Sequence, residues 1–216
     1  MEELSTLQQV AIWTLPVLFA ITVHEVAHGW VAFKLGDDTA HRLGRITLNP
    51  IKHIDPIGTV LLPLLLLVTT GFVFGWAKPV PVNFHRLRQP RRDMALVALA
   101  GPGANLLMAI FWALIAKFGL LLTGAFAPAV FLIYMGIAGI LINAILMILN
   151  LLPILPLDGG RVLYSTLPPS LADSFGRLEP FGLIILVVLL LTGMLEYVLW
   201  PVVNLMYQQL LWFVGI

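Results

Sequence analysis

The 216 residues contain no cysteine, so neither a disulfide nor a thiolate metal site is possible. Any metal centre has to be built from histidine, carboxylate or backbone oxygen. Charge is scarce as well. Only 11% of residues are charged and 60% are hydrophobic, with mean hydropathy +0.98. A soluble domain averages roughly 25% charged residues, so the composition excludes a soluble enzyme and points to an integral membrane protein. Net charge is +1, which provides no basic field for nucleic acid. Met1-Glu2-Glu3-Leu4 lacks the basic run that opens a signal peptide, so the first apolar segment is expected to remain as a span. No repeat and no low-complexity tract is visible.

What is present is a series of apolar segments. Leu7 to Phe33 reads as a long helix with a kink at Pro16, closed by Lys34, Gly36 and Asp37-Asp38. Arg45 to Leu48 alternates polar and apolar residues and predicts a short strand. Ile57 to Thr70 is apolar but short of the ~20 residues a crossing needs, so it predicts a partial span. Gly75 to Asn83 carries too many prolines for a helix and predicts an extended edge or hairpin. Met94 to Phe118 and Ala127 to Leu152 are clear spans, and Glu179 to Leu199 is another. Pro201 is expected to break that last span, leaving a tail with Trp200, Tyr207 and Trp212 as an interfacial helix. The reading is an all-α polytopic membrane protein of about four to six transmembrane or partial-span helices, with a small β element in residues 45–85. It forms one domain over 1–216, with a core at 7–166 and C-terminal helices at 179–216.

Basic residues set an orientation. Lys34, Arg42, Arg45 and Lys52 follow the first span, and Lys78, Arg86, Arg88, Arg91 and Arg92 precede the next clear one. Gly119 to Pro128 carries no charge. The N-terminus is therefore expected outside, residues 34–92 on the cytoplasmic side, and Asp158 back on that side at a depth similar to His28.

One charge sits where charge should not be. From Leu4 to Phe33 the only charged residue is Glu25, inside His24-Glu25-Val26-Ala27-His28. An intramembrane carboxylate costs about 2.5–3.5 kcal/mol and is a functional hypothesis by default. Two histidines at i and i+4 share a helix face, the spacing of a zinc site whose glutamate handles a water. A chain of this composition is expected to show roughly 0.003 such matches, so chance does not explain it.

A catalytic zinc takes three protein ligands. His24 and His28 supply two. His41, His53 and His85 lie in basic loops, and Asp55 precedes Pro56, whereas Asp158 directly follows a long span and is followed by Gly159-Gly160, which permit a tight turn. Asp158 is the better third ligand and Asp55 its weaker rival. Glu25 is too close in sequence to bind with both histidines and suits general base, then general acid. Asn150, eight residues before Asp158, is equally readable as an oxyanion donor or as an interhelical hydrogen bond. Asn143 continues its face, and Asn105, with Gly101 and Gly103, reads as close helix packing. Lys78-Pro79-Val80-Pro81 suits either pairing with an extended substrate or plugging a cavity.

These residues resemble the site-2 proteases, the intramembrane zinc metalloproteases. The resemblance is carried by His24-Glu25-Val26-Ala27-His28-Gly29, Asn150-Leu151-Leu152-Pro153 and Leu157-Asp158-Gly159-Gly160-Arg161. Arg45 to Pro50, Gly75 to Asn83 and Leu99-Ala100-Gly101-Pro102 are similar to the compact prokaryotic subgroup. The likeness covers most of residues 15–165. It implies one zinc per chain on His24, His28 and Asp158, Glu25 as catalytic base, and Asn150 assisting the oxyanion or holding substrate. It also implies transmembrane protein substrates, cut towards the cytoplasmic face of the cell membrane. No PDZ insertion lies between the early spans, and no cystathionine-synthase-like domain lies among these residues. The rival from another class is a zinc-binding membrane transporter or sensor without hydrolytic activity. Such a protein is expected to show polar groups through both leaflets and often repeated halves.

Overall fold

The computed structural model describes residues 4–61, 65 and 75–215. Helix α1, Thr6–Lys34, begins at a reciprocal cap. Ser5 Oγ accepts the Gln8 N–H, and the Ser5 N–H donates to Gln8 Oε1 at 2.8 Å. A single turn, α2, covers Thr39–Arg42. Helix α3, Pro90–Leu122, starts with proline where a helix needs no N–H, and the Gln89 N–H donates to Asp93 Oδ2 at 2.8 Å. Helix α4 spans Val130–Asn150. Short helices α5, Asp158–Thr166, and α6, Pro169–Gly176, lead to α7, Gly182–Leu191, and α8, Met194–Val214.

Among the described residues, four segments are long and apolar enough to cross a membrane: Thr6–Lys34, Pro90–Leu122, Ala127–Asn150 and Pro169–Leu191. The architecture is that of an all-helical, multi-pass membrane protein. Its centre is α1, α3 and α4. Small residues bring α4 onto α3: a methyl group on Gly136 would lie 2.6 Å from Ala116 Cβ, and one on Gly139 only 2.1 Å from Trp112 Cγ. In lipid, such close approach replaces the hydrophobic drive available in water.

The predicted β element is not there. No strand occurs among the described residues. The segment 75–83 is extended, but its donors are spent one at a time on different elements. Trp76 N–H goes to Gly58 O (3.0 Å), Lys78 N–H to His53 O (2.9 Å), Val80 N–H to Glu25 and Asn83 N–H to Asp37. Pro79 and Pro81 have no N–H to give. Arg45, the expected strand start, uses its guanidinium on Lys78 O and Pro79 O. A ladder needs repeated donors toward one partner, and this strap has none. Residues 71–74, and most of the partial span expected at 57–70, lie outside the described residues; Pro56–Leu61 is a single wide helical turn.

The C-terminal half also differs from its expectation. The chain breaks at Gly193, in the left-handed region at φ 73°, and Pro201 lies inside α8. Leu195, Leu199 and Val203 pack on Ala144 and Ile148 of α4, while Val214 reaches Trp112 and Ile140. Helix α8 therefore runs lengthwise along α4 instead of lying across its end. That packing outweighs the one hydrogen bond Pro201 removes.

The α3–α4 crossing is directly testable. Gly139→Val is expected to lower the thermal unfolding temperature of the detergent-solubilised protein, with overpacking costing about 1–3 kcal/mol. An unchanged melting temperature would show that the helices do not cross this closely.

Candidate metal centre

Helix periodicity puts His24 and His28 one above the other on the buried face of α1. Both are 8% exposed. Helix α5 brings in Asp158, whose side chain is 14% exposed. The three converge on one point. The two Nε2 atoms are 3.0 Å apart, and Asp158 Oδ2 is 3.3 Å from each. The other nitrogen of each ring is occupied: His28 Nδ1 lies 2.7 Å from Val97 O, and His24 Nδ1 lies 2.6 Å from Asn105 Oδ1.

The proton positions follow. A main-chain carbonyl only accepts, so His28 Nδ1 carries the proton and its Nε2 presents a lone pair. Asn105 Oδ1 asks the same of His24. Asp158 Oδ2 is a buried oxygen with no hydrogen-bond partner. With both imidazoles neutral, three electron-pair donors face one another with no proton between them. Buried polar atoms are rarely left this way, and a cation resolves the arrangement. Neighbouring ligands of a tetrahedral zinc, at 2.0–2.1 Å from the metal, are about 3.3 Å apart, which the separations match. Two imidazoles and a carboxylate also form a donor set that suits zinc. Without metal, a proton on an imidazole plays the cation. Burial pushes the Asp158 carboxyl up, but the bond and the charge that a protonated imidazole of His24 or His28 offers it win and hold it down at about 2. The carboxylate is ionised at neutral pH.

Three glycines shape the centre. A methyl group on Gly101 of α3 would sit 2.3 Å from His28 Nε2 and 2.6 Å from His24 Nε2. Helix α3 can therefore pass behind the ligands only because residue 101 has no side chain. Gly159 and Gly160 do not make a left-handed turn. Their methyl groups would strike Leu151 O at 2.2 Å and the Ile154 carbonyl carbon at 2.5 Å. Their role is close approach, and it seats the start of α5 on the turn after α4.

Glu25, the neighbour of His24, points elsewhere. Its Oε2 accepts the Val80 N–H at 2.6 Å, and Oε1 has no partner among the described residues. Asn150 Nδ2 donates to Leu146 O, one turn back, at 2.9 Å. Asp55 Oδ1 accepts the N–H groups of Ile57 and Gly58. His41 stacks on Phe33, His53 bonds Thr47 O, and His85 is exposed. The weaker ligand candidates are thus apart from the centre. Sequence reasoning missed Gly101 and Asn105 as parts of it. The signal was available for Asn105: an amide in an apolar span needs a partner, and here it is a ligand. Asn143, expected to extend the Asn150 face, instead bonds Asn105.

Gly101→Ala is the sharpest probe of this geometry. It is expected to leave the protein folded and to weaken divalent-ion binding severely, as read by metal content after dialysis against zinc. Wild-type metal content in that variant would mean that the ligands do not meet at this point.

Comparison with known proteins agrees with the geometry. YwhC of Bacillus subtilis strain 168, named as a candidate zinc metalloprotease, is 40% identical over 195 residues, covering 87% of this chain and 84% of the relative. Rip2 of Mycolicibacterium smegmatis, named likewise, is 34% identical over 182 residues, 83% of this chain and 66% of Rip2. Rip2 of Mycobacterium tuberculosis strain H37Rv is 31% identical over 180 residues, with the same coverage. No family model matches the chain, and no solved structure matches it significantly. At this identity, over most of both chains, and with a two-histidine, one-carboxylate centre, the chain belongs to the site-2 protease family, the zinc metalloprotease family of YwhC and Rip2.

Proposed function

We propose that the chain is an intramembrane zinc metalloendopeptidase of the site-2 type, hydrolysing peptide bonds of membrane-spanning proteins. The observation that carries this reading is the meeting of His24, His28 and Asp158 within 3.3 Å, with Glu25 next in sequence to a ligand. One zinc per chain is held by those three residues. Zinc, when bound, supplies Lewis acidity, which makes water a nucleophile near neutral pH and polarises a carbonyl.

Glu25 does the proton work. Its Oε2 is fixed by Val80 N–H, so Oε1 takes the proton from the attacking water and later delivers it to the leaving nitrogen. Asn150 assists the developing oxyanion, for which its Nδ2 has to leave Leu146 O. A substrate helix must unwind locally, because a helical amide is shielded and already hydrogen-bonded. The strap at 75–83 is the element beside which the unwound strand lies, since Val80 is in contact with the base. The positive loops put the N-terminus outside and the centre towards the cytoplasmic face.

Two substitutions test the assignment together. Glu25→Gln keeps an acceptor for Val80 N–H, so zinc content should stay at the wild-type level while cleavage of a membrane-embedded substrate falls by about 10²–10⁴-fold. Asp158→Ala should lose most of its zinc. A zinc transporter would instead keep its metal flux with Glu25→Gln, and unchanged zinc in Asp158→Ala would remove that residue from the ligand set. Asn150→Ala should retain zinc and lower kcat by about 10²–10³-fold; an unaltered kcat would leave Asn150 a helix-packing residue.

A further inference from the structure

Behind the metal ligands lies a hydrogen-bonded line that the reaction above does not use. Asn105 on α3 and Asn143 on α4 are both completely buried, at 0% exposure, in apolar spans. Buried amides are costly there unless bonded. Asn143 Nδ2 donates to Gly139 O at 2.8 Å, and Asn143 Oδ1 accepts from Asn105 Nδ2 at 2.9 Å. Asn105 Nδ2 also donates to Ala20 O at 3.2 Å, and Asn105 Oδ1 is 2.6 Å from His24 Nδ1.

The direction of this line is dictated by its ends. Main-chain carbonyls have no proton to give. Gly139 O therefore faces the amino group of Asn143, which leaves the Asn143 oxygen turned to Asn105. That oxygen and Ala20 O consume both N–H groups of Asn105. What remains for His24 is an oxygen, so His24 Nδ1 has to donate, and its Nε2 is left with the lone pair a metal needs. Exchanging O and N in either amide would set acceptor against acceptor.

We infer that Asn105 is a positioning residue for the metal centre, fixing the tautomer and ring plane of His24, and that Asn143 locks the Asn105 amide. The inference rests on the zinc reading of His24, His28 and Asp158. His28 is an internal reference, because Val97 O holds its ring independently of either asparagine. Asn105→Leu strips His24 Nδ1 of its acceptor, whereas Asn105→Asp keeps an oxygen there. Asn143→Leu leaves Asn105 held by Ala20 O alone.

The test uses the full chain in detergent, with zinc affinity measured by chelator competition and histidine ¹⁵N spectra recorded on metal-free protein. The metal-free wild type is expected to carry the His24 proton on Nδ1. Asn105→Leu should bind zinc about 10–100-fold more weakly. Asn105→Asp should recover most of that loss, and Asn143→Leu should fall between. Gly136→Ala disturbs α3–α4 packing away from the centre and should keep wild-type affinity. The inference is overturned by wild-type affinity in folded Asn105→Leu, by an equal loss in Gly136→Ala, or by a wild-type His24 that carries its proton on Nε2 and none on Nδ1. The spectrum of the wild type decides the matter even if Asn105→Leu fails to fold. A wild type that holds no zinc overturns this inference and the zinc reading together; zinc binding indifferent to Asn105 overturns this inference alone.

Discussion

Lone pairs that face one another repel, and a protein interior offers little water to screen them. In this chain two imidazole nitrogens and a carboxylate oxygen are held within 3.3 Å of one another, each pointing inward. The same atoms in water would turn apart. They are kept together because the opposite end of each imidazole is committed: His28 to a carbonyl of α3, His24 to an amide of α3. The surrounding helices therefore hold three donor atoms at the separation a divalent ion would need. Affinity for the ion and stability of the bundle draw on the same contacts.

The helix arrangement serves that convergence. α1 supplies both histidines from one face, so their relative placement is settled locally by the helix rise. Asp158 arrives from α5, far along the chain, and its position depends on close backbone contact at Gly159 and Gly160. Gly101 lets α3 approach the ligands without filling the space they share. Small residues recur wherever two backbones meet near the centre, as expected where dispersion and hydrogen bonds replace hydrophobic drive.

The parts legible in the sequence are those set by local spacing or by scarcity. His24, Glu25 and His28 stand out because i, i+4 pairs share a helix face and because charge is nearly absent around them. Asp158 stands out because it directly follows a long span and precedes Gly159-Gly160. The main spans follow from composition alone. Asn105 and Gly101 were not legible as parts of the centre, because their importance lies in what α1 presents to them across a helix crossing. The β element failed for a different reason. Alternation predicts which side chains face where, but a strand also needs free N–H groups. Two prolines, and the carboxylates Glu25 and Asp37, deny them to residues 79, 80, 81 and 83. Pro201 misled because a proline weakens a helix by a bounded amount, and the contacts of Leu195, Leu199 and Val203 with α4 exceed it.

The centre is stiff on one side and loosely tied on the other. His24 and His28 lie inside the helical ladder of α1, Asp158 opens α5, and Gly101 of α3 leaves no room behind them for even a methyl group. Residues i and i+1 of a helix point about 100° apart, so Glu25 cannot share the histidines' face and turns to the strap instead. That strap is held by isolated hydrogen bonds, Val80 to Glu25, Asn83 to Asp37 and the Arg45 guanidinium to two carbonyls, with Val82 and Phe84 packed on the Ala32–Leu87–Val97 cluster. Segments tied by few, separate bonds open at lower free energy than helices do. On the proposed reading, exposing the Glu25 carboxylate to an incoming strand requires breaking one bond to the strap, while the triangle of His24, His28 and Asp158 stays as it is.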